Sequence, residues 1–218
     1  GDGSGGVGES GGEGGGPGGN DEGDDSPTKF HIGGPSCSIV HEDVRILDAE
    51  GNWVTISVKD YTRNAVTKKY ATLEDFLTAW SAADRKQAIL DELAQSDSPL
   101  MIEAVKEENP ALADKDAFDI ILHLAYDQKP LTRRERVENV KKRNYLAKYE
   151  GKAREVLEAL LEKYAERGVA ELENENVLEL HPFSEIGTAV KIVRFFGGPA
   201  AFEAALHELE SEIYRKAS

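Results

Sequence analysis

The sequence predicts a mainly α-helical protein, in which a multi-helix domain follows a small β-hairpin and a disordered Gly/Asp-rich N-terminal linker. Three observations predict this fold class. Glycine and acidic residues dominate the first 28 positions, β-prone runs occupy Ser36 to Val58, and apolar residues at helical spacing follow Asp60. We divide the chain into a linker (1–35), a hairpin with a helical subdomain (36–128) and a C-terminal helical domain (129–218).

The linker is assigned from composition. Residues 1–28 contain 13 glycines, seven acidic residues, no lysine or arginine, and one large apolar side chain, Val7. Such a segment cannot bury enough apolar surface to offset the entropy lost when its backbone is ordered. The other 190 residues contain 34 acidic and 26 basic side chains, a net charge of −8, which is ordinary for a globular protein.

Several classes of protein are excluded. No apolar run approaches the ~18 residues that a membrane-spanning helix needs, and the N-terminus has no signal-peptide pattern. Cys37 is the only cysteine, so no intrachain disulfide can form, and we expect a cytoplasmic protein with no membrane contact. Met101 is the only methionine. Together with the linker, this leads us to expect the tail of a longer protein.

The hairpin prediction depends on two β-prone runs. SCSIVHEDVRIL and WVTISV flank the turn-forming residues 48–52. Alternation places Val54, Ile56 and Val58 on one face, so this face should pack against the helices that follow. The hairpin either packs on the helical domain or leaves an unpaired edge that adds to a sheet elsewhere in the parent protein.

Capping patterns predict where three helices begin. Thr72, Ser81 and Thr132 each stand three residues before an acidic side chain, and each predicts a helix start just after it. The apolar segment 118–125 predicts a buried helix that ends before Lys129-Pro130.

The second half of the chain has cleaner helical patterns. Apolar residues recur at helical spacing from Gly151 onward, and Gly168 is placed to end that helix. A polar connector (171–179) and a short helix (189–196) follow. Pro199 occupies a favoured first position of the last helix.

Motifs for phosphate or zinc binding are missing or incomplete. No G-x-x-x-x-G-K-[ST] sequence occurs. Cys37 and His41 are four residues apart with His31 nearby, but a structural zinc site needs four ligands and usually includes paired cysteines. The sequence therefore predicts no metal site and no cofactor-binding residue.

Catalytic groups are equally incomplete. Glu150 and Lys152 have the E-x-K spacing of metal-dependent nucleases, but they lie at a junction between helices and lack a further carboxylate. His123 and His181 have no recognisable nucleophile partner. We predict no catalytic residue, and an independent enzyme using Glu150 or these histidines is the least favoured interpretation.

Residues 129–154, which we call the basic stripe, contain ten basic and three acidic side chains, a net charge of +7. Such a segment can bind phosphates or an acidic protein face. The alternative is a solvated helix face whose cations pair with surrounding acids. The candidate contact residues, in the stripe and in the last helix, are Arg133, Arg134, Arg136, Lys141, Lys142, Arg143 and Tyr214.

A series of short motifs runs through the second half of the chain. It comprises LTRRERV (131–137), KAREVL (152–157), Pro182-Phe183, FGG (196–198) and Glu208-Leu209-Glu210. This ordered series resembles the C-terminal domain of the R subunit (HsdR) of type I restriction-modification enzymes of the EcoEI type. Upstream, Asp60-Tyr61-Thr62-Arg63 and Ala83-Asp84-Arg85-Lys86 resemble the segment that precedes this domain.

The resemblance implies a parent that is an ATP-dependent DNA translocase and endonuclease. Its nuclease and motor domains would precede this region and would bind ATP and Mg²⁺. For this chain the resemblance implies a non-catalytic assembly module, with the methyltransferase (M) and specificity (S) subunits and the parent motor domains as partners. The alternative is an auxiliary DNA-binding module that contacts the phosphate backbone through the basic stripe.

Overall fold

The computed structural model describes residues 28–30, 37–40, 43–47 and 49–216, with side chains described from residue 43 onward. The linker prediction for 1–27 and the histidines at positions 31 and 41 lie outside the described residues. Four strands lead the described chain: β1 (Thr28–Phe30), β2 (Cys37–Val40), β3 (Asp43–Leu47) and β4 (Trp53–Ser57). Strand β1 falls within the range assigned to the linker.

The strands form one antiparallel sheet in the order β1-β2-β3-β4. The predicted hairpin is confirmed by β3 and β4, which pair from Asp43 with Ser57 to Leu47 with Trp53. Gly51 lies in the connecting turn with a φ of 82°, which a glycine adopts without strain. The first β-prone run is not one strand, because it breaks after Val40 into β2 and β3.

Helices make up most of the rest of the described chain. They are α1 (Val58–Thr67), α2 (Leu73–Ala82), α3 (Lys86–Ala94), α4 (Ile102–Glu108), α5 (Ala117–Tyr126), α6 (Arg133–Lys142), α7 (Gly151–Arg167), α8 (Val169–Leu172), α9 (Phe183–Ile186), α10 (Ala189–Phe195) and α11 (Pro199–Tyr214). Short 3-10 turns lie at Pro110–Leu112, Tyr145–Lys148 and Val177–Glu179. None of the helices in the described ranges is long and apolar enough to cross a membrane.

Two of the three predicted helix starts are confirmed. Thr72 and Thr132 each accept a hydrogen bond from the backbone N–H three residues later, at 3.1 and 3.0 Å, and each completes a capping box. The start at Ser81 is wrong, because α2 continues through Ala82 and α3 begins at Lys86. A distant carboxylate, Glu173, accepts the first N–H groups of α3 in place of a local cap.

The predicted ends of α5 and α7 and the predicted start of α11 are confirmed. Gly168, with a φ of 81°, ends α7, and Pro199 begins α11, both as predicted. Helix α5 ends before Lys129-Pro130, because Asp127 takes the left-handed conformation directly after Tyr126. The polar connector contains part of α8 and the 3-10 turn Val177–Glu179.

Three clusters of buried side chains form the core. The C-terminal cluster packs α6, α7, α10 and α11 around Leu157 and Leu161, which are fully buried. A second cluster surrounds Phe76 and Phe118, and a third joins the sheet to α1, α4 and α5. Burying one such side chain stabilises the fold by about 1.5–3 kcal/mol.

Tyr214 packs against both the C-terminal and the second cluster. Its ring lies 5.0 Å from those of Trp80 and Phe118 and 6.1 Å from that of Tyr164. Buried contacts therefore cross the predicted boundary between residues 128 and 129. The division of the chain at this boundary stays a prediction.

Candidate functional site

The basic stripe is built from α6, the turn Tyr145–Lys148 and the first turn of α7. Seven of its ten cations lie within ion-pair distance of a carboxylate: Arg134, Arg136, Lys141, Arg143, Lys148, Lys152 and Arg154. Six of the carboxylates come from outside the stripe: Asp119, Glu155, Glu158, Glu162, Glu208 and Glu212. They reduce the net charge of the stripe and its partners from +7 to +1.

Glu162 of α7 shows how this neutralisation works. It accepts from Arg134 at 2.6 Å and from Lys141 at 3.3 Å. The hydrogen bond from Arg134, followed by Lys141, lowers the pKa of Glu162 below its usual value. On the other side of the stripe, Glu212 of α11 lies 2.9 Å from Arg143. The exposed pairs of Glu162 add only about 0–1 kcal/mol to stability, but they neutralise the cations that make them.

Arg133 has a different role. Its guanidinium donates to the carbonyl oxygens of Ala165 at 3.1 Å, Lys115 at 3.3 Å and Glu166 at 3.4 Å. Two of these carbonyls belong to the last turn of α7, where the helix dipole favours a positive charge. Arg133 therefore ties the start of α6 to the end of α7.

Arg136 is only 4% exposed and lies in the interior. It donates to both carboxylate oxygens of Asp119, at 2.5 and 2.9 Å, and to the carbonyl of Ile213 at 2.9 Å. Burial acts against its charge, but Asp119 holds the pKa of Arg136 above its usual value. Arg136 is a buried structural group, so it leaves the set of surface contact candidates.

Tyr214 also points inward. Asp116, the N-cap of α5, accepts hydrogen bonds from the hydroxyls of Tyr164 at 2.7 Å and Tyr214 at 3.3 Å, and from the backbone N–H of Phe118 at 2.8 Å. Burial, followed by the nearby charge of Asp116, raises the pKa of both tyrosines. Tyr214 therefore joins α11 to α5 and does not offer its hydroxyl to a partner.

The exposed members of the predicted contact set are Arg134, Lys141 and Lys142, while Arg143 is half-buried. Lys129 and Lys142 are both exposed, and neither makes an ion pair or a side-chain hydrogen bond with the described residues. These two lysines are the cations of the stripe that remain available to a partner.

The residues considered for catalysis are not brought together. His123 Nδ1 lies 3.0 Å from the carbonyl oxygen of Gln128, and His181 Nδ1 lies 3.1 Å from Glu185. Glu150 precedes α7 without a side-chain capping bond. Within residues 43–47 and 49–216, no group of three or more His, Cys, Asp and Glu side chains could hold a metal ion.

Lys86, Glu173 and Glu210 form a buried polar cluster that the sequence did not predict. Lys86 Nζ donates to the carbonyl of Ala83 at 2.7 Å, and Glu173 lies against the N-terminus of α3. Glu210 of α11 is buried beside them, and burial followed by the charge of Glu173 raises the pKa of Glu210 to about 8, while Lys86 opposes the shift. The sequence contains a sign of the burial of Glu210. Helical spacing places Glu210 between Leu206 and Ile213 on the apolar face of α11.

Large apolar side chains are exposed at two places in the described part of the chain. Trp53 and Val54, on β4, are 51% and 39% exposed. Leu180, which precedes α9, is 39% exposed, and Val190, which lies on α10, is 64% exposed. We call the second place the α10 corner, defined by Leu180, Ile186 and Val190.

Comparisons with known proteins agree with the motif series. The family model described as EcoEI R protein C-terminal matches residues 57–214. The chain is 46% identical over 188 residues to the Type I restriction enzyme EcoAI endonuclease subunit of Escherichia coli, a match that covers 86% of this chain and 23% of that protein. The chain thus spans about a quarter of this relative's length, and no solved structure matches. The chain belongs to the EcoEI-type family of C-terminal regions of type I restriction enzyme R subunits (HsdR).

Proposed function

We propose that this chain is the non-catalytic C-terminal part of an R subunit and that it assembles the motor subunit with the M and S subunits. The parent would be an ATP-dependent DNA translocase and endonuclease. Its nuclease and motor domains would bind ATP and Mg²⁺ in the part of the protein that precedes this chain. The family membership and the name of the relative, an endonuclease subunit, support this proposal.

The observation that favours protein docking over DNA binding is the pairing of the basic stripe. A track for the phosphate backbone needs cations that can replace the counterions of DNA. In this chain seven of the ten stripe cations face carboxylates, and Arg133 is bound to carbonyl oxygens. We therefore transfer the proposed docking contact to the α10 corner, where an apolar side chain is exposed beside the cations Lys191 and Arg194.

DNA binding is the second candidate function, and Lys129 and Lys142 are the residues that would contact the phosphates. Both are exposed and are free of ion pairs to the described residues. Two phosphate contacts would give a salt dependence of about −2 in log K against log salt, whereas ten would give about −9. The salt dependence therefore reports how many stripe cations reach DNA.

The test is size-exclusion chromatography with light scattering. The chain is mixed with the purified M and S subunits and, separately, with a DNA duplex at two salt concentrations. We expect a stable complex with the protein subunits, and we expect Val190→Lys to weaken it at least about tenfold, because a charge at the centre of an apolar contact is costly. Thr78→Lys is the matched control, since it adds the same charge at an exposed position of α2, outside the α10 corner and the basic stripe.

Binding to DNA alone, lost at the higher salt, would refute the assembly role and favour the second candidate. Equal affinities of Val190→Lys and the wild type would keep the assembly role but remove the α10 corner as its surface. ATPase or nuclease activity of the chain alone would refute its assignment as non-catalytic.

A further inference from the structure

Strand β4 lies at the edge of the described sheet. Its only strand neighbour there is β3, and the sheet order ends with it. An edge strand presents a row of N–H and C=O groups that can pair with another strand. Trp53, Val54 and Thr55 are all exposed, and the Arg45 guanidinium of β3 lies 5.4 Å from the centre of the Trp53 ring.

The edge lacks the features by which proteins usually prevent such pairing. The sequence WVTIS of β4 contains no charged residue and no proline, and its ladder with β3 runs without a bulge over five residue pairs. Instead, the strand exposes two large apolar side chains, Trp53 and Val54. Such a segment is suited to accept a strand with β-branched or aromatic side chains, because main-chain hydrogen bonds give affinity and alternate side chains give specificity.

The extent of the family match bears on where a partner strand for β4 would come from. The family match begins at residue 57, at the end of β4, and is C-terminal in its family. More than three quarters of the relative's length lies outside the match. Because the family is C-terminal, we place this length before the match, on the same side of residue 57 as the strands. We propose that the β4 edge pairs with a strand of the preceding part of the same R subunit and thereby joins the C-terminal region to it. This inference rests on the proposed function only in assuming that such a part precedes the chain.

Hydrogen exchange tests the proposal in the R subunit without its M and S partners, so the outcome is independent of the docking role. In the 218-residue chain, we expect the β4 amides that point away from β3 to exchange quickly, while those of β3 are protected by neighbours on both sides. In the longer R subunit, we expect these β4 amides to exchange at least about tenfold more slowly. Equal exchange in both proteins would overturn the proposal.

Two variants of the R subunit sharpen the test. Val54→Lys places a charge on the edge and should return β4 exchange to the rate of the 218-residue chain. Thr78→Lys is the matched control, since it adds the same charge at an exposed position of α2, and it should leave β4 exchange unchanged. If Val54→Lys fails to fold, the wild-type comparison still decides. Protection of β4 that grows with the concentration of the 218-residue chain alone would assign the edge to a second copy and overturn the proposal.

Discussion

Replacement of Glu210 by glutamine should stabilise the protein at neutral pH. The side chain of Glu210, on α11, is almost fully buried, and its Oε2 has no hydrogen-bond partner among the described residues. Glu173 and Lys86 face it from the other elements, and His207 Nδ1 lies 3.9 Å from Oε2. Burial raises the pKa of Glu210 from 4.5 to about 8, so the folded protein holds this proton at pH 7.

The magnitude follows from linkage. Because the folded state binds the proton more tightly than the unfolded state, the stability contributed by Glu210 is present below pH 4.5 and falls as the pH rises to about 8. At about 1.4 kcal/mol per pH unit, the loss at pH 7 is roughly 3 kcal/mol. Glutamine has nearly the same shape and no ionised form, so Glu210→Gln should recover about 2–3 kcal/mol at pH 7 and nothing at pH 4.5.

Urea unfolding of the wild type and the variant at pH 4.5, 6 and 7 measures this difference, and titrations of other groups cancel between the two proteins. Glu203→Gln, an exposed change on the same helix, is the control and should show no pH-dependent difference. A difference between wild type and Glu210→Gln that stays constant from pH 4.5 to pH 7 would refute a retained proton on Glu210.

Three further changes test the buried contacts. Asp119→Ala should lower the free energy of unfolding by about 3–5 kcal/mol, because it leaves the charge of Arg136 buried without a partner, and urea unfolding should show that adding Arg136→Met recovers much of this loss. Tyr164→Phe should cost about 1.5–3 kcal/mol in the same assay, since Asp116 loses its shortest hydrogen bond. Thr132→Ala should cost about 1 kcal/mol by removing the cap of α6, and a calorimetric melting temperature equal to that of the wild type would contradict it.

Local signals in the sequence predicted local structure well. Thr72 and Thr132 cap helices through residues three positions away, and Gly168 and Pro199 act within one turn. The start at Ser81 failed because the group that caps α3, Glu173, lies 87 residues beyond Lys86. No window along the chain contains that contact.

The same limit applies to the candidate site. A count of charges along 129–154 finds the stripe but cannot find its counter-charges, because Glu162 lies 28 residues from Arg134 and Glu212 lies 69 from Arg143. Likewise, the local sequence does not show which carboxylate neutralises the buried Arg136, because Asp119 lies 17 residues away on α5. Helical spacing contained part of the answer, since Arg136, Val137 and Val140 form the buried face of α6.

In the proposed assembly role, a basic segment would belong to a complex that works on DNA without itself binding DNA, and the pairing of the stripe supports this proposal. In the proposed complex, free cations on this chain would compete for phosphates with the subunits that move along DNA or recognise it. Because α7 and α11 supply carboxylates across the stripe, most of its charge is used to join α6 to the rest of the fold. We therefore expect the ion pairs to oppose non-specific DNA binding more than they add to stability, and we expect the salt dependence of DNA binding to be shallow. A slope near −9 would show that DNA displaces these carboxylates, and would contradict a stripe committed to its own fold.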